Sequence, residues 1–276
     1  PDVTSAAPVV LTEVVDRIGV ITLNRPETRN AVNGALAAEL GRAVRAMADD
    51  DKAKVVVLTG AAPEGALGGF CSGGDIKAGR DSGGLEVAVP PDALDGDLSR
   101  HDHHAAMLLH LMPKPTIAMI GGAAIGAGCS LAAACDLRYA SEDAVFAANF
   151  TPNGLSGDYG GSFFWTSILG TAKARALYLL NDKLTARQAL EWGMVHGVEP
   201  AAELRARTMQ IASRLCRTPS EVLALTKENL NLAEAEVERR RFLLAHEAHN
   251  QIASGAAIRA RLARASIKPE APLDEA

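Results

Sequence analysis

The chain has 276 residues, a net charge of −5 and 48% hydrophobic residues, enough for a sizeable core in one large domain or one domain with an appendage. The mild acidity gives no reason to expect nucleic acid or an anionic membrane surface as partner. No apolar run reaches the roughly 18 residues of a transmembrane helix.

Pro1 to Ala7 has neither the basic region nor the apolar core of a signal peptide, and is read as flexible. Val9 to Val15 and Gly19 to Leu23 read as a hairpin of two β-branched strands around Asp16-Arg17. Asn33 is positioned to cap a helix running to about Ala48, whose Leu36, Leu40, Val44 and Met47 recur every three or four residues and predict one buried face. Val55-Val56-Val57-Leu58 has the length and apolarity of a buried strand. The order β-β-α-β predicts a layered α/β architecture.

Residues 79–100 break the pattern with Ser82-Gly83-Gly84, Pro90-Pro91 and several aspartates. A loop of that length is read as a mobile lid. His101, His103, His104 and His110 follow at a spacing that fits no standard metal-ligand set, so they are read as a solvated or pocket-lining face and no metal is expected. Met107, Leu108, Leu111 and Met112 are read as core or pocket wall.

Thr116 to Ile120 is a short buried strand, followed by Gly121-Gly122-Ala123-Ala124-Ile125-Gly126-Ala127-Gly128 and then a helix through Leu131-Ala132-Ala133-Ala134. Glycines at a strand-to-helix junction let a ligand approach backbone amides that have no acceptor in the helix. Such a turn holds an anion or a developing oxyanion. Gly126-Ala127-Gly128 lacks the third glycine of a dinucleotide fingerprint, so no nicotinamide is expected.

Cys135 to Ala140 and Ala144 to Ala148 read as two further strands. Thr185-Ala186-Arg187-Gln188 and Thr218-Pro219-Ser220-Glu221 have the form of capping boxes. Beyond Pro200 the chain reads as helical, with an apolar stripe at Leu223, Thr226, Leu230 and Val237, then Phe242, Leu243 and Ile252, that needs a covering surface. The division expected is a core over residues 1–215 and a helical region over 216–276. Cys71, Cys129, Cys135 and Cys216 are spaced for neither a disulfide framework nor a zinc site, and are read as reduced thiols of a cytoplasmic protein.

Four segments in order carry a resemblance. Asn24-Arg25-Pro26-Glu27 with Asn30-Ala31 resembles N-R-P-x-x-x-N-A. Phe70-Cys71-Ser72-Gly73-Gly74-Asp75-Ile76 resembles F-x-[AS]-G-x-D-[IL]. Gly122 to Asp136 resembles G-x-A-x-G-[GA]-G-x-x-L-x-x-x-C-D, and Leu184 to Val195 supplies the fourth match. These are motifs of the crotonase, or enoyl-CoA hydratase/isomerase, family, and the resemblance covers roughly Val9 to Arg264.

The resemblance implies a spiral of repeated ββα units and a C-terminal helical region that builds a homotrimer, often doubled to a hexamer. It implies an acyl-CoA thioester as substrate, with coenzyme A as part of that substrate and no separate cofactor. Residue matching puts the two oxyanion amides on Ser72 and Ala127, with Gly73, Gly74, Asp75 and Gly126 around them. It puts Arg25, Arg29, Ala31 and Ile76 beside the coenzyme A moiety. Two fixed amides stabilise the enolate oxygen formed when the thioester loses an α-proton.

The two glutamates by which hydratases of this family activate water are replaced here by Ser130 and Phe150, neither of which is a general base. Asp158 occupies a place where the family's double-bond isomerases often carry an aspartate, and is expected to transfer the proton. As a residue among glycines it also fits a plain turn. Asp136 matches a position that looks structural, Asp75 lies in the first oxyanion turn, and neither is expected to be catalytic. Isomerisation is expected ahead of hydration. A hydratase with atypical water activation and a non-catalytic acyl-CoA binding protein stay open. Dehalogenase chemistry would need a nucleophilic carboxylate at a family position not found filled.

Overall fold

The structure, a computed structural model, describes residues 7–66, 68–75 and 105–234. The expected hairpin forms. Strands β1 (Val10–Val15) and β2 (Ile18–Leu23) pair antiparallel with Val15 opposite Ile18. The two residues between them, Asp16 (φ 50°) and Arg17 (φ 67°), are both left-handed, which matches the twist of a two-residue hairpin.

Helix α1 (Gly34–Asp49) starts where the Asn33 side chain accepts a hydrogen bond from the Leu36 amide at 2.9 Å. Its Leu36, Leu40, Val44 and Met47 are all buried. Each of the larger of these side chains contributes about 1.5–3 kcal/mol through burial. Strand β3 (Val55–Gly60) is buried along its whole length, as a strand covered on both faces must be.

Next come α2 (Ala105–Leu111), β4 (Thr116–Ile120), β5 (Ala123–Ile125), α3 (Ala127–Ala134), β6 (Leu137–Ser141) and β7 (Val145–Ala147). Helix α4 (Gly161–Arg175) kinks at Gly170 and runs on into a π turn at Ala176–Leu180. The chain continues through β8 (Leu184–Thr185), α5 (Ala186–Trp192), β9 (Gly197–Glu199), α6 (Leu204–Cys216) and α7 (Ser220–Glu234). The expected capping box at Thr185 and Gln188 is formed.

The strands divide between two sheets. One has the order β1-β2-β3-β4-β6-β9, parallel from β2 onward; the other has the order β5-β7-β8. In β4-β5-α3 and again in β6-β7-α4, the first strand joins the large sheet, the second joins the small sheet, and a helix follows. This is the ββα repeat of the spiral. It places the turn between β5 and α3 beside the small sheet. Among the described residues no helix is long and apolar enough to cross a membrane.

Three expectations change. Leu111 is exposed, whereas Leu109 and His110 are buried, because the inward stripe of α2 is set two positions earlier than read; Met112, just past the helix, is buried as expected. The strand expected over Cys135–Ala140 starts at Leu137, after Cys135 has closed α3. Helix α7 starts at Ser220, so Pro219, expected as the first helical residue after a Thr218 cap, lies just outside it. The loop at 79–100, His101, His103, His104 and the stripe from Val237 onward lie outside the described residues.

Helix α7 is fastened to its own core by two buried polar side chains. Lys227 Nζ lies 2.8 Å from Asp136 Oδ2 and donates to the carbonyls of Leu109 (2.9 Å) and Lys114 (3.1 Å). Asn231 Nδ2 donates to the His110 carbonyl at 2.9 Å. Asp136 Oδ2 also accepts from the Thr116 amide and hydroxyl, in keeping with its structural reading. Lys227→Met should lower stability by about 3 kcal/mol, because it leaves a carboxylate and two carbonyls without their cation. An unchanged melting temperature in thermal denaturation would show that the pair carries no net stability.

Candidate active site

The first motif turn is built by the Asn-Arg-Pro segment. Asn30 is fully buried at φ 57° and accepts a hydrogen bond from the Arg25 amide, while its Nδ2 donates to the Ala61 carbonyl. Arg25 points inward, where it donates to the Ala31 carbonyl and pairs with Asp75 at 2.9 Å. Gly73 and Asp75 bracket Val32 with two backbone hydrogen bonds. Arg25 therefore fixes the turn and is not a free phosphate ligand. Arg29 is exposed and its side chain makes no ion pair among the described residues. Ala31 is buried; Ile76 lies outside the described residues. Asn30 was matched by the motif but given no job; its burial is what sequence alone did not disclose.

The second turn lies against the first. Cys71 bridges to Ala124, with the Cys71 amide donating to Ala123 and the Ile125 amide donating to Cys71. A Cβ on Gly73 would lie 3.7 Å from the Gly126 Cα, and one on Gly128 only 2.2 Å from the Cys71 carbonyl oxygen. Glycine at 128 is therefore what allows α3 to begin against the first turn.

The expected donor at Ser72 needs correction. Its amide donates to the Arg29 carbonyl at 3.0 Å and its hydroxyl to the Thr28 carbonyl at 3.1 Å. The Gly73 amide acts on the Cys71 thiol, lowering it against the larger effect of burial. Gly74, exposed and with no acceptor for its amide among the described residues, is the donor left open in this turn. Ala127 is buried as the first residue of α3, where an amide has no acceptor in its own helix. Gly74 and Ala127 are thus amides of the two turns left without an acceptor among the described residues.

Asp158 comes to these turns from the loop before α4. Its Oδ1 is sheltered from solvent. Burial pushes the Cys71 and Cys129 thiols up to about 12, and the Asp158 charge adds to both shifts. The carboxylate thus bears on one thiol in each motif turn. The next residue, Tyr159, holds φ 50°, a left-handed backbone that costs a non-glycine residue about 1–3 kcal/mol. Burial, with Asp158 beside it, also raises the Tyr159 phenol. Ser130 and Phe150 are both buried nearby, and Phe150 stacks on Tyr178 with centroids 5.9 Å apart. Phe163 and Trp165 are buried in the same core as Phe150.

The thiols at Cys71, Cys129 and Cys135, all buried and all shifted up to about 12, should resist alkylation in the native protein. Intact mass after iodoacetamide at pH 8 should show modification at the half-buried Cys216 only, and at all four cysteines after unfolding. Native labelling of Cys71 would overturn this picture of the site.

The enoyl-CoA hydratase/isomerase family model matches residues 13–264. The chain belongs to this family. It is 33% identical to 1,2-epoxyphenylacetyl-CoA isomerase of Escherichia coli strain K12, over 82% of each chain. It is 31% identical to 4-chlorobenzoyl coenzyme A dehalogenase-1 of an Arthrobacter species, over 88% of this chain and 84% of that one. Among solved structures, an enoyl-CoA hydratase from Mycobacterium avium subsp. paratuberculosis K-10 superposes with a TM-score of 0.76 at 28% identity, covering 93% of this chain and 99% of that chain. The protein is an enzyme of the hydratase/isomerase family acting on an acyl-CoA thioester. The paired glycine turns and the ββα spiral are its family features.

Proposed function

We propose that the enzyme moves a proton along the acyl chain of an enoyl-CoA, with Asp158 as the base and acid and the Gly74 and Ala127 amides holding the enolate oxygen. The observation carrying this reading is the place of Asp158, whose charge reaches the thiols of both glycine turns while Ser130 and Phe150 stand where hydratases have glutamates. One carboxylate suffices to take a proton from one carbon and return it to another. Hydration also needs a positioned and deprotonated water. The exposed Arg29 would pair with a phosphate of coenzyme A.

Incubation with 2-enoyl- and 3-enoyl-CoA thioesters, read by mass and absorbance, tests this. Equal mass with a moved double bond is expected. A mass gain of one water supports hydration, and tight binding without change supports a binding protein.

The likeness to a chlorobenzoyl-CoA dehalogenase favours one second reading. Asp158, which the sequence reading did not assign to that role, would then be the nucleophile that attacks a ring carbon; chloride would leave, and water would hydrolyse the aryl ester. Chloride release from 4-chlorobenzoyl-CoA would select it.

The proposed assembly is a cytoplasmic homotrimer or hexamer. Val222, Leu225, Leu230 and Leu232 on α7 are at least half exposed in a single chain. A full-length monomer in light scattering at micromolar concentration would defeat it.

A further inference from the structure

Two asparagines meet where the chain leaves β7. Asn149 and Asn181 both hold left-handed backbone, at φ 54° and φ 62°. After glycine, asparagine is among the residues that tolerate this conformation best. Asn181 closes the π turn that follows α4, where its amide donates to the Ala176 carbonyl. Its side-chain Oδ1 accepts a hydrogen bond from the Asn149 amide. Glycine at 181 would supply the same backbone without that bond, so the carboxamide does something the turn itself does not require.

The Asn149 amide lies at the root of the site. Two residues before it, the Ala147 carbonyl accepts from the Gly126 amide at 3.0 Å, in the second glycine turn. One residue after it, the Phe150 ring reaches within 3.9 Å of the Cβ position of Gly126. From there to Asp158 the chain is bonded to itself. Asn153 Nδ2 donates to the Asn149 carbonyl at 2.8 Å, and the Asn153 and Leu155 amides both donate to the Phe150 carbonyl. The Gly161 amide donates to the Asp158 carbonyl at 3.0 Å. The π turn grips the same stretch twice more, through the Thr151 hydroxyl on the Tyr178 carbonyl at 3.3 Å and the Tyr178 ring stacked on Phe150. A stretch held in this way moves as one piece, and the bond from Asn149 to Asn181 sets where the piece starts.

We infer that Asn181 is a positioning residue for the proton transfer. Through the Asn149 amide it holds the Asp158 loop in register with the Gly126-Ala127 turn, so that the carboxylate and the oxyanion amide reach the same acyl chain. A small displacement of a reacting group costs rate far more than it costs binding of the ground state. This rests on the Asp158 reading above.

Asn181→Gly keeps the left-handed backbone and deletes the acceptor, whereas Asn181→Asp keeps both. Asn181→Gly should lower kcat by about tenfold, the scale of one hydrogen bond. Its affinity for butyryl-CoA by calorimetry should stay within about twofold, which also shows that the variant is folded. Asn181→Asp should keep kcat within about threefold of the unaltered enzyme. Hydrogen exchange read by mass should quicken over residues 149–160 in the glycine variant and not in the aspartate variant. In an Asp158→Asn background, Asn181→Gly should lower the residual kcat no further. Unchanged kcat or unchanged exchange in Asn181→Gly overturns the inference, and so does an equal loss in both variants. A full further loss on top of Asp158→Asn overturns it too, as does a fall in butyryl-CoA affinity that matches the fall in kcat, which would assign Asn181 to folding alone. All of these leave Asp158 standing. Full turnover by Asp158→Asn alone removes the Asp158 reading and the inference with it.

Discussion

Asp158→Asn will cut turnover by roughly 100-fold or more, the usual scale for general acid–base catalysis, and leave acyl-CoA affinity within a few-fold. The substitution keeps the size of the side chain and one acceptor oxygen while removing the charge that both glycine turns feel. The α-proton of a thioester is weakly acidic, so a lone carboxylate is an adequate base only if the enolate oxygen is held at the same moment. The effect should therefore appear in kcat, because binding of the ground-state ester does not need the charge. Steady-state kinetics beside calorimetry with a saturated ester read the two separately. Full turnover in the variant would make Asp158 a turn residue and remove the proposed mechanism.

Gly128→Ala should be as damaging without touching any reactive group. The added methyl would sit 2.2 Å from the Cys71 carbonyl oxygen and 2.9 Å from its carbonyl carbon. These are backbone atoms, fixed by hydrogen bonds to β5, so α3 must move away from the first turn. Gly74 and Ala127 then no longer aim at one point. Loss of a single oxyanion donor costs about 100- to 1,000-fold in kcat, and this change misplaces the pair. Circular dichroism should stay native while the melting temperature falls.

Ala127→Gly is the control. It leaves the amide in place and costs at most about 1 kcal/mol of helix propensity, so turnover should stay near that of the unaltered enzyme. A Gly128→Ala enzyme with normal kcat would show that the turns tolerate separation, and a dead Ala127→Gly enzyme would show that more than the amide matters there.

Local chemistry made much of the fold legible. The hairpin followed from two β-branched runs, α1 from Asn33 and its apolar spacing, and β3 and β4 from continuous apolar runs. Short elements were placed less well. In α2 a two-residue offset moved Leu111 outward and brought Leu109 and His110 inward, because seven residues give too few turns to fix a face. At the site, the sequence led to both glycine turns, but in the first it picked Ser72, an amide that is already bonded. Which amide of a tight turn points at a ligand depends on where the others find acceptors. For Ser72 that acceptor is the Arg29 carbonyl, more than forty residues away in the chain. The inward turn of Arg25 escaped the sequence reading for the same reason, since its partner Asp75 comes from another segment.

The sheet order sets the sequence in which the enzyme can be made. Val20 pairs with Val57, Val57 with Ile117 and Ile117 with Leu137, all in parallel, so each step closes a loop of tens of residues before any ladder bond is gained. Such closures slow folding. The oxyanion pocket exists only when three of these distant segments have met: Asn30 with Ala61, Cys71 with Ala124, and Gly128 against Cys71. During refolding, helical signal should therefore return well before acyl-CoA binding, and the nascent protein passes through a stage with most of its helices and no capacity to hold an enolate.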